Sequence, residues 1–259
     1  MAQDDRYSRQ QRFWAIGAAG QARIAAGRAL VVGSGALGTT IADMLVRCGI
    51  GFLRLVDRDR VEWSNLPRQS LFTEAHAATA RPKVEAAAEV LRAIDSRVII
   101  EPHHLHVDGD TVDDLLVDVD LVLDGCDNFA TRHVVNDACV KQQLPYFYGG
   151  VVEAYGCALA ILPGHGPCLR CFHDPDDPRP EPIAATHGVI APAVHMVAAW
   201  QVADALRWWT GAGVEPILHS ADLWAATTRH HPVANWRDPD CPVCTAVGER
   251  NTTPGDHHA

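Results

Sequence analysis

Residues 29–38 read Ala29-Leu30-Val31-Val32-Gly33-Ser34-Gly35-Ala36-Leu37-Gly38. A short apolar run, β-branched at its end, stops on a glycine, and three glycines follow in the spacing GxGxxG. Each has a separate reason. Gly33 permits a tight turn, Gly35 lets backbone approach a phosphate, and Gly38 lets a helix pack closely on a sheet. Residues 41–48 have helical spacing and end at Gly49 and Gly51, and Phe52-Leu53-Arg54-Leu55-Val56-Asp57 reads as a second strand. Strand, glycine turn, helix and strand in that order open a doubly wound parallel sheet that binds a nucleotide. Asp57 lies nineteen residues beyond Gly38, at the end of the second strand, where an acid can hold ribose hydroxyls.

The alternation continues outward. Residues 83–94 predict a helix, 97–100 a strand, 112–116 a short helix, 121–124 a buried strand ending in Asp124, 131–142 a helix, and 146–148 the start of another strand. Beyond Gly149 the pattern changes. Residues 151–162 predict a strand pair, possible as an antiparallel one, and 174–182 a mobile Asp- and Pro-rich loop. Residues 189–209 predict a long apolar helix interrupted early by Pro192, and 223–237 a final strand or hairpin. The expected class is α/β: a Rossmann-like, doubly wound, mainly parallel sheet with a C-terminal mixed or antiparallel extension. Four segments follow: an N-terminal helical arm (1–28), the nucleotide-binding part (29–150), a C-terminal part of the same globular unit (151–246), to which the motifs below assign zinc and, through a family resemblance, carrier binding, and a flexible tail (247–259).

Composition narrows the classes. With 259 residues, 47% of them hydrophobic, the chain can bury one full α/β core. A formal net charge of -10 with no basic stripe argues against nucleic-acid binding. No run of eighteen apolar residues occurs, and residues 1–11 are polar and charged, so neither a membrane span nor a signal peptide is expected, and the cytoplasm is the expected compartment.

The residues after the second strand change the ligand. The glycine turn alone favours NAD and an oxidoreductase. A dehydrogenase needs no cation after that strand, whereas a triphosphate needs charge and bidentate donors for its outer phosphates. Arg68 is placed to supply them, and Lys83 is expected to reach the same region from the start of its helix.

Six motifs then occur in order: Arg6-Tyr7-Ser8-Arg9-Gln10, the glycine turn, Asp57-Arg58-Asp59, Ser64-Asn65-Leu66-Pro67-Arg68-Gln69, Arg81-Pro82-Lys83-Val84-Glu85, and Asp124-Gly125-Cys126-Asp127-Asn128. Together they resemble the ThiF/MoeB/HesA adenylyltransferases, bacterial relatives of ubiquitin-activating enzymes, over roughly residues 5–246. The resemblance implies ATP and Mg2+ as cofactors and an acyl-adenylate product with release of pyrophosphate. It implies that Asp59 binds ribose, that Asn65, Arg68 and Lys83 serve the phosphates and the reaction, that Asp127 holds magnesium with Asn128 beside it, and that Arg9 reaches a neighbouring subunit's site in a homodimer. The implied substrate is the C-terminal Gly-Gly of a small ubiquitin-like sulfur carrier, with a peptide or small acid as the alternative.

Two CxxC hooks, Cys168-Leu169-Arg170-Cys171 and Cys241-Pro242-Val243-Cys244, offer four thiolates to a tetrahedral, structural zinc with no open position, an arrangement the resembled family shares. The chain departs from that family in places. Ala184 stands where many members carry a cysteine, which implies that this chain stops at the adenylate or passes it to a separate nucleophile. His187 stands where a small residue is usual, and a lone loop histidine is more often incidental than a substrate contact, whereas Pro67 replaces a glutamine and Cys126 a threonine, changes expected to reshape the acyl pocket. Trp200, Trp208 and Trp209 are expected in core or dimer packing, and the histidines at 103–106 and 230–231 in surface clusters.

Overall fold

The structure, a computed structural model, describes residues 5–175 and 184–246. Helices Ser8–Gln11 (α1) and Gly17–Ala26 (α2) lead into strand Arg28–Val32 (β1), helix Ala36–Cys48 (α3) and strand Phe52–Val56 (β2). Helices Glu74–Ala78 (α4) and Lys83–Ile94 (α5) precede strand Ile99–His103 (β3). Val112–Leu115 (α6), Leu121–Asp124 (β4) and Phe129–Gln142 (α7) follow, then strands Tyr146–Val152 (β5) and Tyr155–Ile161 (β6). Helices Ala184–His187 (α8) and Ala191–Thr210 (α9) and strands Ile217–Asp222 (β7) and Thr227–Pro232 (β8) complete the series.

All eight strands form one sheet in the order β3-β2-β1-β4-β5-β6-β7-β8. The pairs from β3 to β5 are parallel, and those from β5 to β8 antiparallel. β1 is flanked by β2 on one side and β4 on the other, so the connections leaving β1 and β4 diverge and open a crevice at their carboxyl ends. β2 and β4 are buried at every position, as strands covered on both faces must be. One apolar layer packs Ile41 and Leu45 of α3, Ala87 and Leu91 of α5, and Val197 and Val202 of α9 on the sheet. The other packs Val135 and Cys139 of α7 with Tyr146, Leu159 and the buried cysteines of the C-terminal hooks. β8, the outer strand, is exposed throughout. Among the described residues no helix is long and apolar enough to cross a membrane.

Several boundaries shift. β3 begins two residues later than expected and runs to His103. The antiparallel pair is β5 continued past position 150 and β6, so the nucleotide-binding and C-terminal parts share one strand. The last hairpin begins at Ile217 rather than 223. Pro192 does not interrupt α9; it occupies the first turn, where its missing N–H would have had no intrahelical partner anyway. Helix α4 carries no long apolar period and was not anticipated. Most of the expected loop at 174–182 and the whole tail at 247–259 lie outside the described residues.

Candidate active site

A cleft of about 800 Å³ opens at the carboxyl ends of β1, β2, β4 and β5. Gly33 and Gly38 are packing glycines. A Cβ on Gly33 would meet the Gly125 carbonyl at 2.5 Å, and one on Gly38 would collide with the Gly33 carbonyl. Gly33 also has a φ of +90°, in the left-handed region. Gly35 differs: a Cβ there would meet nothing nearer than the Gly125 carbonyl at 4.0 Å, so it faces the cleft. α3 starts beside it with no side-chain cap. Its first amides are therefore free to meet an anion, reinforced by the helix dipole.

Asp57 braces this turn. The Ser34 amide donates to its Oδ2 at 2.6 Å and the Asp59 amide to its Oδ1 at 2.7 Å. The Asp59 carboxylate stands half-exposed in the cleft and pairs with the buried Lys83 Nζ at 2.8 Å. Asn65 is buried and accepts from the Glu62 amide at 3.0 Å, which shapes the turn that presents Arg68. Arg68 donates to the Ser64 carbonyl at 2.7 Å and lines the cleft. Asp127 is exposed on the opposite lip, and Asn128 donates to its Oδ1 at 3.2 Å. Asn128, rather than Asp127, caps α7, accepting from the Thr131 amide at 2.9 Å. The expected cleft residues are thus brought together around one glycine turn.

Arg9 is not brought into this cleft. Tyr7 hydrogen-bonds Asp95 through its hydroxyl, Arg6 donates to the Ile94 carbonyl at 2.8 Å, and Gln10 to the Cys48 carbonyl at 3.0 Å. These contacts fix α1 to the carboxyl ends of α3 and α5, whose amino ends face the cleft. The 13 residues of α3 separate the two ends by roughly 20 Å.

Other residues shape the site without having been singled out. Asp124, fully buried, accepts from Arg132 Nε at 2.9 Å, while Arg132 Nη2 donates to the Cys126 carbonyl at 2.7 Å and the Gly149 carbonyl at 2.9 Å. Burial opposes the Arg132 cation most strongly, but the groups around it, Asp124 foremost, together outweigh burial and hold its pKa above the ordinary value. Gln201 adds bonds to the Asp124 and Phe147 carbonyls at 2.9 and 2.8 Å. This network sets the loop that carries Asp127. His106, Phe129 and His173 also line the cleft. The signal for His106 was the histidine run after β3, which the two-residue error in that strand moved off the site. Of the residues that depart from the resembled family, Cys126 lines the cleft, whereas Pro67 and the exposed His187 do not. Burial, followed by Asp124, pushes the Cys126 thiol well up, and burial also raises Cys157, so neither is poised as a nucleophile.

The two hooks meet on the α7 side. Cys168 and Cys241 sulfurs are 3.7 Å apart, Cys171 and Cys244 sulfurs 3.6 Å, and all four lie within 4.8 Å of one another. Four thiolates at a Zn–S bond of about 2.3 Å in a tetrahedron stand about 3.8 Å apart, so the cluster is compatible with zinc. Trp209 is buried, its indole N–H on Asp120 Oδ2 at 3.0 Å, and Trp200 stacks on His219, which pairs with His230.

Comparison with known proteins agrees with this geometry. A Sulfur carrier protein ThiS adenylyltransferase of Bacillus subtilis is 43% identical over 239 residues, covering 92% of this chain and 71% of that one. A SAMP-activating enzyme E1 of Haloferax volcanii is 35% identical over 247 residues, covering 94% and 90%. The crystal structure of E. coli MccB with MccA-N7isoASN has the same fold, with a TM-score of 0.79 at 24% identity over 92% of this chain and 74% of that one. The ThiF family model matches residues 7–243. With its glycine turn, its cleft and its four-cysteine cluster in one sheet, and adenylyltransferases as its relatives, the chain belongs to the ThiF family.

Proposed function

We propose that this chain is a cytoplasmic, homodimeric adenylyltransferase that uses ATP and Mg2+ to activate the C-terminal glycine of a small ubiquitin-like sulfur carrier protein, with Zn2+ held by Cys168, Cys171, Cys241 and Cys244. The observation that carries the reading is the convergence of Lys83, Arg68 and Asp127 on the uncapped start of α3, beside a glycine that leaves room for phosphate.

A carboxylate oxygen of the carrier attacks the α-phosphorus of ATP, an O–P bond forms, and the bond to the bridging oxygen breaks with its electron pair leaving on pyrophosphate. No protein nucleophile is required. The turn amides at Gly35 and the start of α3, together with Arg68 and Lys83, neutralise phosphate charge, and their effect is greatest where charge grows in the transition state. Asp59 takes the ribose hydroxyls, and Asp57 keeps the turn in place for it. Asp127 and Asn128 would hold Mg2+, which supplies positive charge to the phosphates. Arg9, fixed far from the cleft of its own chain, supplies a further cation to a second copy, which is the reason for a dimer. The absence of a poised thiol among the described cleft residues fits an adenylate handed to an outside acceptor.

ATP–pyrophosphate exchange tests this. Labelled pyrophosphate should enter ATP with a carrier ending in Gly-Gly, and not with small acids or with the carrier lacking its last glycine. Exchange with a short peptide in place of a carrier would move the substrate class to peptides. No exchange with any acyl partner would overturn the reading.

A further inference from the structure

Between the four-cysteine cluster and the cleft lies a stacked aromatic pair. His173, just past Cys171, lies parallel to Phe129, with ring centroids 3.7 Å apart and planes 3° from parallel. Its Nδ1 meets His133 Nε2 at 3.0 Å. The same hook is tied to α7 twice more. Arg170 grips the Asp137 carboxylate at 2.9 and 2.6 Å, and the Leu169 amide donates to Asn136 Oδ1 at 2.9 Å. Phe129 directly follows Asn128, and both stacked rings line the cleft.

What they face is set by sheet alternation. Tyr148, Gly150 and Val152 share one face of β5, and Cys157 and Tyr155 stand opposite the last two on β6. Tyr148 packs in the α7 layer, so this is the face that α7 covers. All five residues line the cleft. The wing of the cleft on the β4–β6 side is therefore a slot between this strand face and the stack, with the Tyr148 hydroxyl beside Gly150 and the Arg132 guanidinium 5.0 Å from the Phe129 ring and 5.3 Å from the Tyr148 ring. The wing on the β2–β3 side lies beyond Asp59 and is left for the base.

We infer that the Phe129–His173 stack is a positioning wall for the acyl substrate. It sets the width of the slot so that a chain end without side chains reaches the lip at Asp127, and the four-cysteine cluster holds the wall in place. The inference rests on the adenylation reading above. His173 touches Phe129 and not the reacting atoms, so it is a positioning residue. The cluster, tied to α7 at four residues, then serves the cleft as well as the fold.

The test compares the wild-type protein with His173→Ala and His173→Phe. Zinc content, thermal melting, ATP KM and carrier KM are measured, with carrier binding by calorimetry in the absence of ATP. His173→Ala should keep its zinc, its melting temperature and its KM for ATP. Its affinity for a Gly-Gly carrier should fall on the order of tenfold, the worth of one aromatic contact. Its discrimination against a carrier with alanine at the penultimate position should weaken in parallel. His173→Phe, which can stack, should restore both. Unchanged carrier affinity and discrimination in a zinc-loaded His173→Ala protein would overturn the wall, as would equal losses in the alanine and phenylalanine variants. If the wild-type protein exchanges pyrophosphate with no carrier, the proposed function fails instead, and calorimetric carrier binding by the three proteins judges the wall alone.

Discussion

The cleft and the four-cysteine cluster both gather chemistry-bearing side chains, and they are built in opposite ways. In the cluster, Cys168, Cys241 and Cys244 are buried and the four sulfurs face one another. In the cleft, Asp127 is exposed, Asp59 half-exposed, and the start of α3 uncapped, with the supporting network of Asp124, Arg132 and Gln201 buried behind them. A metal that holds a chain together needs all its ligands turned inward. Groups that must meet a ligand have to stay wet, so their precision comes from the buried layer beneath.

Five substitutions, one of them followed through a pH series, can break or sharpen that contrast. The largest effect is expected from Cys241→Ser, which should leave the protein without the zinc proposed for the cluster and cost about 5 kcal/mol, read as a fall in Tm on the order of 10 °C. Full zinc content by elemental analysis with an unchanged melt would contradict a closed metal site. Next, Arg132→Met leaves the Asp124 carboxylate buried without its cation and should cost about 3–5 kcal/mol in urea unfolding. By contrast, Asp127→Ala should leave the unfolding curve unmoved, because the side chain is exposed, yet lower pyrophosphate exchange on the order of 10²–10³-fold. A variant that melts early but exchanges normally would reverse the division between the two layers.

Asp204 is a carboxylate on the wrong side of that division. Burial, only partly offset by Arg207, pushes its pKa from 3.8 up to about 6. A raised folded pKa favours the protonated form, so its stabilising contribution is complete below pH 3.8 and is lost as pH rises through 6. Asp204→Asn should therefore be more stable by about 2 kcal/mol at neutral pH, with the gain vanishing near pH 4 in a series of melts. Last, Gly35→Ala should retain the fold and weaken ATP binding on the order of tenfold, as one blocked backbone contact would. Calorimetry showing undiminished ATP binding would mean that the phosphates do not pass this glycine.

Much of the parallel half was legible because its signals are local. β1 is a short apolar run between Gly27 and Gly33, β2 one between Gly51 and Asp57, and α3, α5 and α7 carry helical spacing that survives without partners. The antiparallel half was read less well. β7 carries Leu218, His219 and Ser220, which make no alternating pattern, and it is a strand because β6 and β8 pair with it. The cleft divided in the same way. Gly33, Gly35, Gly38, Asp59, Asn65, Arg68, Lys83, Asp127 and Asn128 stand close along the chain to motifs that announce them. Gln201 stands far from any motif, and Phe129, Arg132 and His173, although near motifs along the chain, act through contacts with distant segments that no motif announces.

By itself, then, the sequence determined the glycine turn, the charges that suit a triphosphate, and the two CxxC hooks, because residue type and short spacing are enough to specify backbone freedom, charge and thiolate supply. Only the tertiary structure decided that Asp57 braces the glycine turn through the Ser34 amide, that Arg9 is carried to the far end of the sheet from its own cleft, and that His173 reaches Phe129. Those outcomes depend on which surfaces meet when strands far apart in the chain take their order in one sheet, and no local pattern encodes that order.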